Sequence, residues 1–387
     1  MSTFQQFSFK PSVMKMIEQL NFTEPTQIQQ QVIPKVLKGA SVIGKSQTGS
    51  GKTHAFLLPI FQKLDRKNEG VQAVITAPTR ELARQLYKEA RKMIRYADQE
   101  KEWGISLLIG GTDRKRAAQS LQNERQIIVG TPGRILDLVK SNDLSIYTAD
   151  TFVIDEADLM FDLGFLTEID QLLVRMKDTV QVLAFSATIP VKLEHFFKKY
   201  LKQPLFINVD GDLPPTLEHR LIDRKHRDEA DLIWEINKIF QPYLALIFTN
   251  GKDKADDLTK QLQEKGLSVG SLHGGLTPRE RKRMKQAIEK LQYEYIVVTD
   301  LASRGIDIPG ISHVINAQLP KEEHFYIHRV GRTARAGLEG MAISFYDESD
   351  IPLLERLENK GVSFQFVDVA PHKARPADSA LEGYALS

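Results

Sequence analysis

Apolar positions in this chain come in short unbroken blocks rather than in strict alternation. Val42-Ile43, Ala73–Thr76, Leu107–Ile109, Ile127–Val129, Thr151–Ile154 and Val182–Phe185 are such blocks in the first half. Leu244–Phe248, Val269–Leu272, Tyr295–Val298, His313–Ile315 and Met341–Phe345 repeat the pattern in the second. Strands covered on both faces read this way, because neither face meets water. Between the blocks lie helical stretches with apolar residues three and four apart, as in Val13, Ile17 and Leu20. This β–loop–α alternation predicts parallel sheets covered by helices, with ligands at the loops that follow the strands. Sequence from Lys202 to Pro215 turns polar and rich in Gly and Pro. The pattern therefore predicts an α/β protein of two domains, residues 1–209 and 216–371, joined by a linker at 210–215. The tail, 372–387, is too poor in large apolar residues to pack and is read as disordered.

Length and composition change this picture little. A chain of 387 residues is long enough for two proper cores, and 42% hydrophobic with 26% charged residues is a globular balance. The absence of cysteine excludes disulfides and thiolate metal sites and fits a reducing interior. No apolar run is long enough to span a bilayer and the first residues lack the pattern of a signal peptide, so the expected location is cytoplasmic with no membrane partner. A net charge of +2 announces no nucleic acid; such a partner would have to be met by local basic clusters.

The chemistry begins at Ser46-Gln47-Thr48-Gly49-Ser50-Gly51-Lys52-Thr53, which follows the Val42-Ile43 block and opens an apolar helical run. A strand, a small-residue loop and a helix N-terminus together cradle phosphates on backbone N–H groups. Lys52 would reach the β- and γ-phosphates and Thr53 would ligate Mg²⁺. Ser46 stands where the generic pattern has glycine, at some steric cost if a positive φ is needed there. The Thr151–Ile154 block ends in Asp155-Glu156-Ala157-Asp158. Beside a phosphate loop, Asp155 would hold the metal through its shell, and Glu156 would orient and deprotonate the attacking water. Ser186-Ala187-Thr188, at another strand tip, could hydrogen-bond to this acidic segment and couple the site to its surroundings.

Two junctions, Thr79-Arg80 and Thr131…Arg134, each place a hydroxyl, free N–H groups and an arginine at a helix start. Such a device suits a nucleic-acid phosphate, although ordinary capping gives the same pattern. The pair Gly110-Gly111 admits close backbone approach. Upstream, Thr26 reads as a helix cap. Gln29 offers an amide that would match an adenine edge, though on local grounds it is better read as an exposed helical glutamine.

The second half has no phosphate loop, but it carries His328-Arg329-Val330-Gly331-Arg332-Thr333-Ala334-Arg335. The spacing predicts Arg332 and Arg335 on one face of a helical turn, suited to the charge of a phosphoryl-transfer transition state. Arg279–Lys285 is the densest basic run, and Thr299–Asp307 follows a strand and so lies on the ligand-facing rim.

Taken in order, Ser46–Thr53, Pro78–Leu82, Gly110-Gly111, Thr131–Arg134, Asp155–Asp158, Ser186–Thr188, Thr299–Asp307 and His328–Gly337 make the chain resemble a DEAD-box RNA helicase over about residues 4 to 370. Within that family it is most similar to the cold-shock branch of Gram-positive bacteria. The resemblance implies two tandem RecA-like domains, with ATP and Mg²⁺ bound in the cleft between them. Partners would be single-stranded and short duplex RNA, with ribosomal or RNA-degradation proteins as candidates, and the chain a monomer. It further implies that Thr26 and Gln29 read adenine with Phe4 stacking on the base, and that Asp307 touches the ATP ribose. Arg80, Gly111, Thr131, Arg134, Arg281 and Thr299 would hold RNA. Asp158, Ser186, Thr188 and His328 would couple the two ligands, and Arg335, with Arg332 beside it, would be the arginine finger. Departures from the family pattern are Asn21 and Ala334 in place of glycines and Pro278 in place of a glutamine; the family's basic carboxyl-terminal extension is also lacking. Two other readings share most of these motifs: an ATP-gated RNA clamp, and a DNA helicase.

Overall fold

Each apolar block named above lies in a strand or at its end. The computed structural model describes residues 3–46, 50–65, 67–97, 103–111, 121, 126–189, 191–201, 204–209, 216–303, 308, 310–334 and 339–369. The expected linker 210–215 and tail 372–387 lie outside the described residues. By its internal contacts the chain divides into two units, Met1–Asp210 and Gly211–Ser387.

The first unit is a seven-stranded sheet in the order β3-β4-β2-β5-β6-β1-β7, and every pairing is parallel. Its strands are β1 (Val42–Ser46), β2 (Ala73–Thr76), β3 (Ile105–Leu108), β4 (Ile127–Gly130), β5 (Thr151–Ile154), β6 (Gln181–Ser186) and β7 (Leu205–Val209). The second unit holds β8 (Leu217–Asp223), β9 (Ala245–Phe248), β10 (Val269–Leu272), β11 (Tyr295–Val298), β12 (His313–Asn316), β13 (Gly340–Tyr346) and β14 (Phe364–Phe366). Their order, β10-β11-β9-β12-β13-β8-β14, repeats that of the first unit strand for strand.

Successive residues of the central strands face opposite apolar layers, as a period of two requires. In the first unit Val42, Ile75, Val153 and Phe185 pack with helices α1 (Pro11–Gln19), α2 (Gln27–Leu37), α3 (Lys52–Lys63) and α4 (Arg80–Ala97). Ile43, Val74, Phe152 and Ala184 face the other layer, beneath the helices Pro132–Lys140, Leu166–Leu173 and Val191–Tyr200. The strands not anticipated are β7, β8 and β14. In β7 and β8 exposed and buried positions mix, and β14 has no buried position, so the continuous apolar signal is lost. Leu205–Val209 was read as part of the polar stretch before the linker; it pairs with β1 instead.

A buried histidine in the second unit makes its stability depend on pH. His219 on β8 is 5% exposed and its Nδ1 lies 2.8 Å from the Tyr326 hydroxyl. Burial pulls its pKa down from 6.5 to about 4. The unfolded chain therefore takes up this proton near pH 6.5 while the folded unit refuses it until about pH 4. The contribution is fully present above pH 6.5 and is lost as pH falls through that window. The loss amounts to about 3 kcal/mol. Denaturant unfolding of the second unit at pH 7 and pH 4.5 checks this; His219→Phe should flatten the difference by about 2 kcal/mol, the part of the window that lies above pH 4.5.

Candidate functional site

Strand order explains why residues far apart in sequence meet. Along the carboxyl edge of the first sheet, β5, β6 and β1 are neighbours. Asp155-Glu156, Ser186 and the phosphate loop follow these three strands, so they form one half of the rim. β3, β4 and β2 form the other half, and Gly110-Gly111, Thr131 and Arg80 follow them.

On the first half, Lys52 opens α3 and is 6% exposed. Its Nζ donates to the Ser46 carbonyl at 3.0 Å and lies 3.6 Å from Glu156 Oε1. Ser46 ends β1 with its Oγ 2.8 Å from Ser50 Oγ. Its backbone is not in the left-handed region, so a β-carbon is tolerated where the generic pattern has glycine. Gly51 does need to be glycine. Its φ is +96°, and a β-carbon there would lie 2.6 Å from Gln29 Nε2 and 2.7 Å from Thr26 Oγ1. Gln47, Thr48 and Gly49 lie outside the described residues, while Thr53 takes its expected place in the first turn of α3.

Glu156 has φ 51° and ψ 55°, a left-handed conformation that costs a residue with a β-carbon about 1–2 kcal/mol. Such strain persists only where the surroundings enforce it, and it aims Glu156 toward Lys52. Asp155 beside it is 6% exposed. Burial, then the Glu156 carboxylate, push its pKa well above the ordinary carboxylate range, against the pull of Lys52. A desolvated acid crowded by a second acid is a poor anion by itself and a good one beside a cation.

Asp158 is 1% exposed and joins the acidic segment to β6. Its Oδ2 accepts from Thr188 N and Thr188 Oγ1, both at 3.0 Å, and its backbone N–H donates to Ser186 Oγ at 3.0 Å. Ser186 Oγ in turn donates to the Thr188 carbonyl at 2.6 Å. Any displacement of the β6 tip is thereby felt at the acidic segment.

The amino-terminal residues behave differently from expectation. Gln29 is 4% exposed. Its Oε1 accepts from Thr26 N at 3.0 Å and its Nε2 donates to the Gly51 carbonyl at 3.1 Å. The amide thus ties the α2 cap to the phosphate loop, and among the described residues these bonds leave one of its N–H groups and one lone pair unused. Phe4, expected to stack on the base, is 3% exposed and lies inside the core against Phe7 and Phe22. A ring so covered has no face to offer. Phe22, half-buried and 4.7 Å from the His54 ring, is the accessible aromatic of this cluster, and sequence reasoning passed over it.

On the other half of the rim, the Arg80 guanidinium lies against Gly110-Gly111. β-Carbons built on these glycines would fall 3.1 Å and 3.0 Å from its nitrogens. Two expected phosphate-holding features are thus one surface. Thr131 caps the helix Pro132–Lys140, and Arg134, in its first turn, is half-buried.

In the second unit, β10 and β11 hold the places that β3 and β4 hold in the first. Thr299 follows β11. Arg281 reaches back to the end of β10, donating to the His273 carbonyl at 3.0 Å. Arg332 and Arg335 were expected on one helical face. The helix Glu323–Val330 instead ends at its cap Gly331, and Arg332, 8% exposed, sits in the turn beyond. Arg335 and Asp307 lie outside the described residues. His328, in the last turn of that helix, is 9% exposed with its ring 6.0 Å from His324. Ala334 has φ 54° and Asn21 has φ 56°. Both substitutions for glycine thus occupy left-handed backbone, which asparagine tolerates better than alanine.

The residue that organises this region is Arg329, unassigned from sequence. It is 1% exposed, and its Nε and Nη2 pair with Asp300 Oδ1 and Oδ2 at 2.6 and 2.7 Å. Nη1 donates to the Gln318 carbonyl at 2.6 Å and Asn316 Oδ1 at 3.2 Å, and Nη2 to Asn250 Oδ1 at 3.0 Å. The tips of β9, β11 and β12 are thus clamped to the segment carrying Arg332. A signal was available: Arg329 stands three residues after buried Tyr326, on the same helix face.

The DEAD/DEAH box helicase profile matches residues 26–196, and the helicase conserved C-terminal domain profile matches 228–337. The chain is 49% identical to the DEAD-box ATP-dependent RNA helicase CshB of Listeria monocytogenes, over 95% of this chain and 84% of that protein. It is 47% identical to CshB of Bacillus subtilis, over 97% and 86%. Among solved structures, Saccharomyces cerevisiae Dbp5 bound to RNA and ADP BeF3 is similar with a TM-score of 0.85 at 28% identity, covering 95% of this chain and 96% of that one. Mss116p bound to ssRNA and AMP-PNP gives 0.83 at 30% identity, covering 96% and 79%. Two units of identical RecA-like topology, a lysine and a glutamate meeting across one sheet edge, and relatives at this identity over nearly the whole length agree: the chain belongs to the DEAD-box ATP-dependent RNA helicases.

Proposed function

We infer that this chain hydrolyses ATP in an RNA-stimulated cycle and uses it to open short RNA duplexes locally, in ribosome assembly, mRNA decay or cold adaptation. The observation that carries this reading is the shared rim of the first sheet. One half presents Lys52, Glu156 and Asp155, the other presents Arg80 against Gly110-Gly111, and the Asp158–Ser186–Thr188 joint stands within the first. Lys52 would bind the β- and γ-phosphates, and Glu156 would take a proton from the attacking water. Thr53 and the buried Asp155 suit Mg²⁺, which would supply charge neutralisation at the phosphates. The remaining N–H and lone pair of Gln29 would read adenine, with Phe22 against the base. Arg80, Gly111, Thr131, Arg134, Arg281 and Thr299 would hold RNA phosphates and 2′-hydroxyls. Arg332 and Arg335 would place positive charge at the transition state, and Asp307 would meet the ribose. Because ATP and RNA would both favour one arrangement of the chain, each should raise the other's affinity.

The test is the ATPase rate alone, with RNA, and with DNA of equal length. RNA should stimulate and DNA should not, and Lys52→Ala should abolish turnover in every case. Equal stimulation by DNA would sink the RNA assignment, and turnover retained by Lys52→Ala would mean that the phosphate loop is misassigned.

A further inference from the structure

The sequence motifs account for the first residues of α4 but not for the rest of it. This helix carries six basic residues and two acidic ones in 18 positions, in a chain whose net charge is only +2. Arg80, Arg84, Lys88, Arg91 and Arg95 recur at spacings of four, four, three and four. At 3.6 residues per turn they fall within a stripe about 80° wide, and from Arg80 to Arg95 the stripe is about 22 Å long. The opposite face, Ala83, Leu86, Ala90, Met93 and Ile94, is buried in the core. Glu89 is turned away toward His54, 3.1 Å from its Nε2. Arg84, Lys88 and Arg95 are exposed. Tyr87 lies beside them with the Arg91 guanidinium 5.9 Å over its ring. Tyr87, Lys88, Arg91, Lys92 and Arg95 line an open depression of about 350 Å³.

We propose that this ridge is a second RNA-binding surface, on which a strand held at Arg80 continues along α4. The inference rests on the RNA-stimulated reading above, because the ridge begins at the arginine packed on Gly110-Gly111 and has no break from it. A row of cations with a half-buried tyrosine beside it suits a phosphate backbone and contact with a base, and it carries no sequence preference. The ridge would take RNA beyond the segment that stimulates ATP turnover, so it governs retention of long RNA rather than catalysis.

The experiment uses the full chain with Arg84→Gln, Lys88→Gln and Arg95→Gln combined. Glutamine keeps helix propensity, and the three side chains are exposed, so folding should survive. Affinity for a long single-stranded RNA should fall about 10- to 100-fold near 0.1 M salt, and the slope of log affinity against log salt should shrink by about 2. Affinity for a short oligoribonucleotide, and the maximal ATPase rate it elicits, should not change; that rate also reports an intact fold. Photocrosslinking of long RNA to Tyr87 should be lost in the variant. Equal weakening for short and long RNA would overturn the proposal, as would unchanged affinity for long RNA. So would a defect confined to acidic polypeptide, which would make the ridge a protein contact. Failure of the wild-type chain to respond to the short oligonucleotide would instead remove the RNA-stimulated reading, a separate result.

Discussion

Replacing Glu156 by glutamine lowers ATP turnover by about 10²- to 10⁴-fold, the range lost with a general base. The substitution keeps the shape of the side chain and places no new demand on the left-handed backbone at this position. It removes only the charge 3.6 Å from Lys52 Nζ and the group that would accept the water proton. It also relieves Asp155, because the Glu156 carboxylate is one of the causes of that residue's raised pKa. The variant should therefore fold at least as well as the parent, with kcat lowered and KM for ATP nearly unchanged, as expected for an interaction made only in the transition state. Steady-state kinetics checks this, and a loss smaller than tenfold would remove Glu156 from the chemistry. The same variant separates two readings of the family resemblance. A helicase loses duplex opening with turnover, whereas an ATP-gated clamp keeps much of its RNA-holding function.

The second large effect is on stability. Arg329→Met should destabilise the second unit by about 3–5 kcal/mol, the cost of removing one member of a buried ion pair. Three further acceptors, on Asn250, Asn316 and Gln318, lose a charged donor at the same time. Asp300→Ala should cost at least as much. It strands a guanidinium that is 1% exposed, while the carboxylate left by Arg329→Met is 28% exposed and can meet water. The two tryptophans are Trp103 and Trp234, one in each unit. In a Trp103→Phe background, Trp234 fluorescence during denaturant unfolding follows the second unit alone. A shift below 1 kcal/mol for both variants would mean that the cluster is not a structural clamp. If the clamp holds, Thr299 and Arg332 also owe their placement to it, and the surviving ATPase should fall in both variants.

Among the described residues no helix is long and apolar enough to cross a membrane. Most strand positions, the loop that precedes α3 and the acidic strand tip could be read from sequence, for one reason. Each depends on neighbours within a few residues: a run buried on both faces, a loop ahead of a helix N-terminus, a carboxylate ending a strand. β7, β8 and β14 escaped because exposed positions interrupt their apolar runs, whereas the edge strands β3 and β10 are mostly buried and were legible.

What sequence could not decide is which tips stand side by side. Chain order separates Ser46, Asp155 and Ser186 by more than a hundred residues in total, and only the strand order β5-β6-β1 makes them adjacent. Packing alone determined that Phe4 is enclosed and Phe22 is accessible, and that Asn21 and Ala334 occupy left-handed backbone. These are properties of the space around a residue, filled by segments distant in the chain, so no local pattern encodes them. The chain's own letters determined what chemistry was available; the order in which the sheet took up its strands determined which groups could act together.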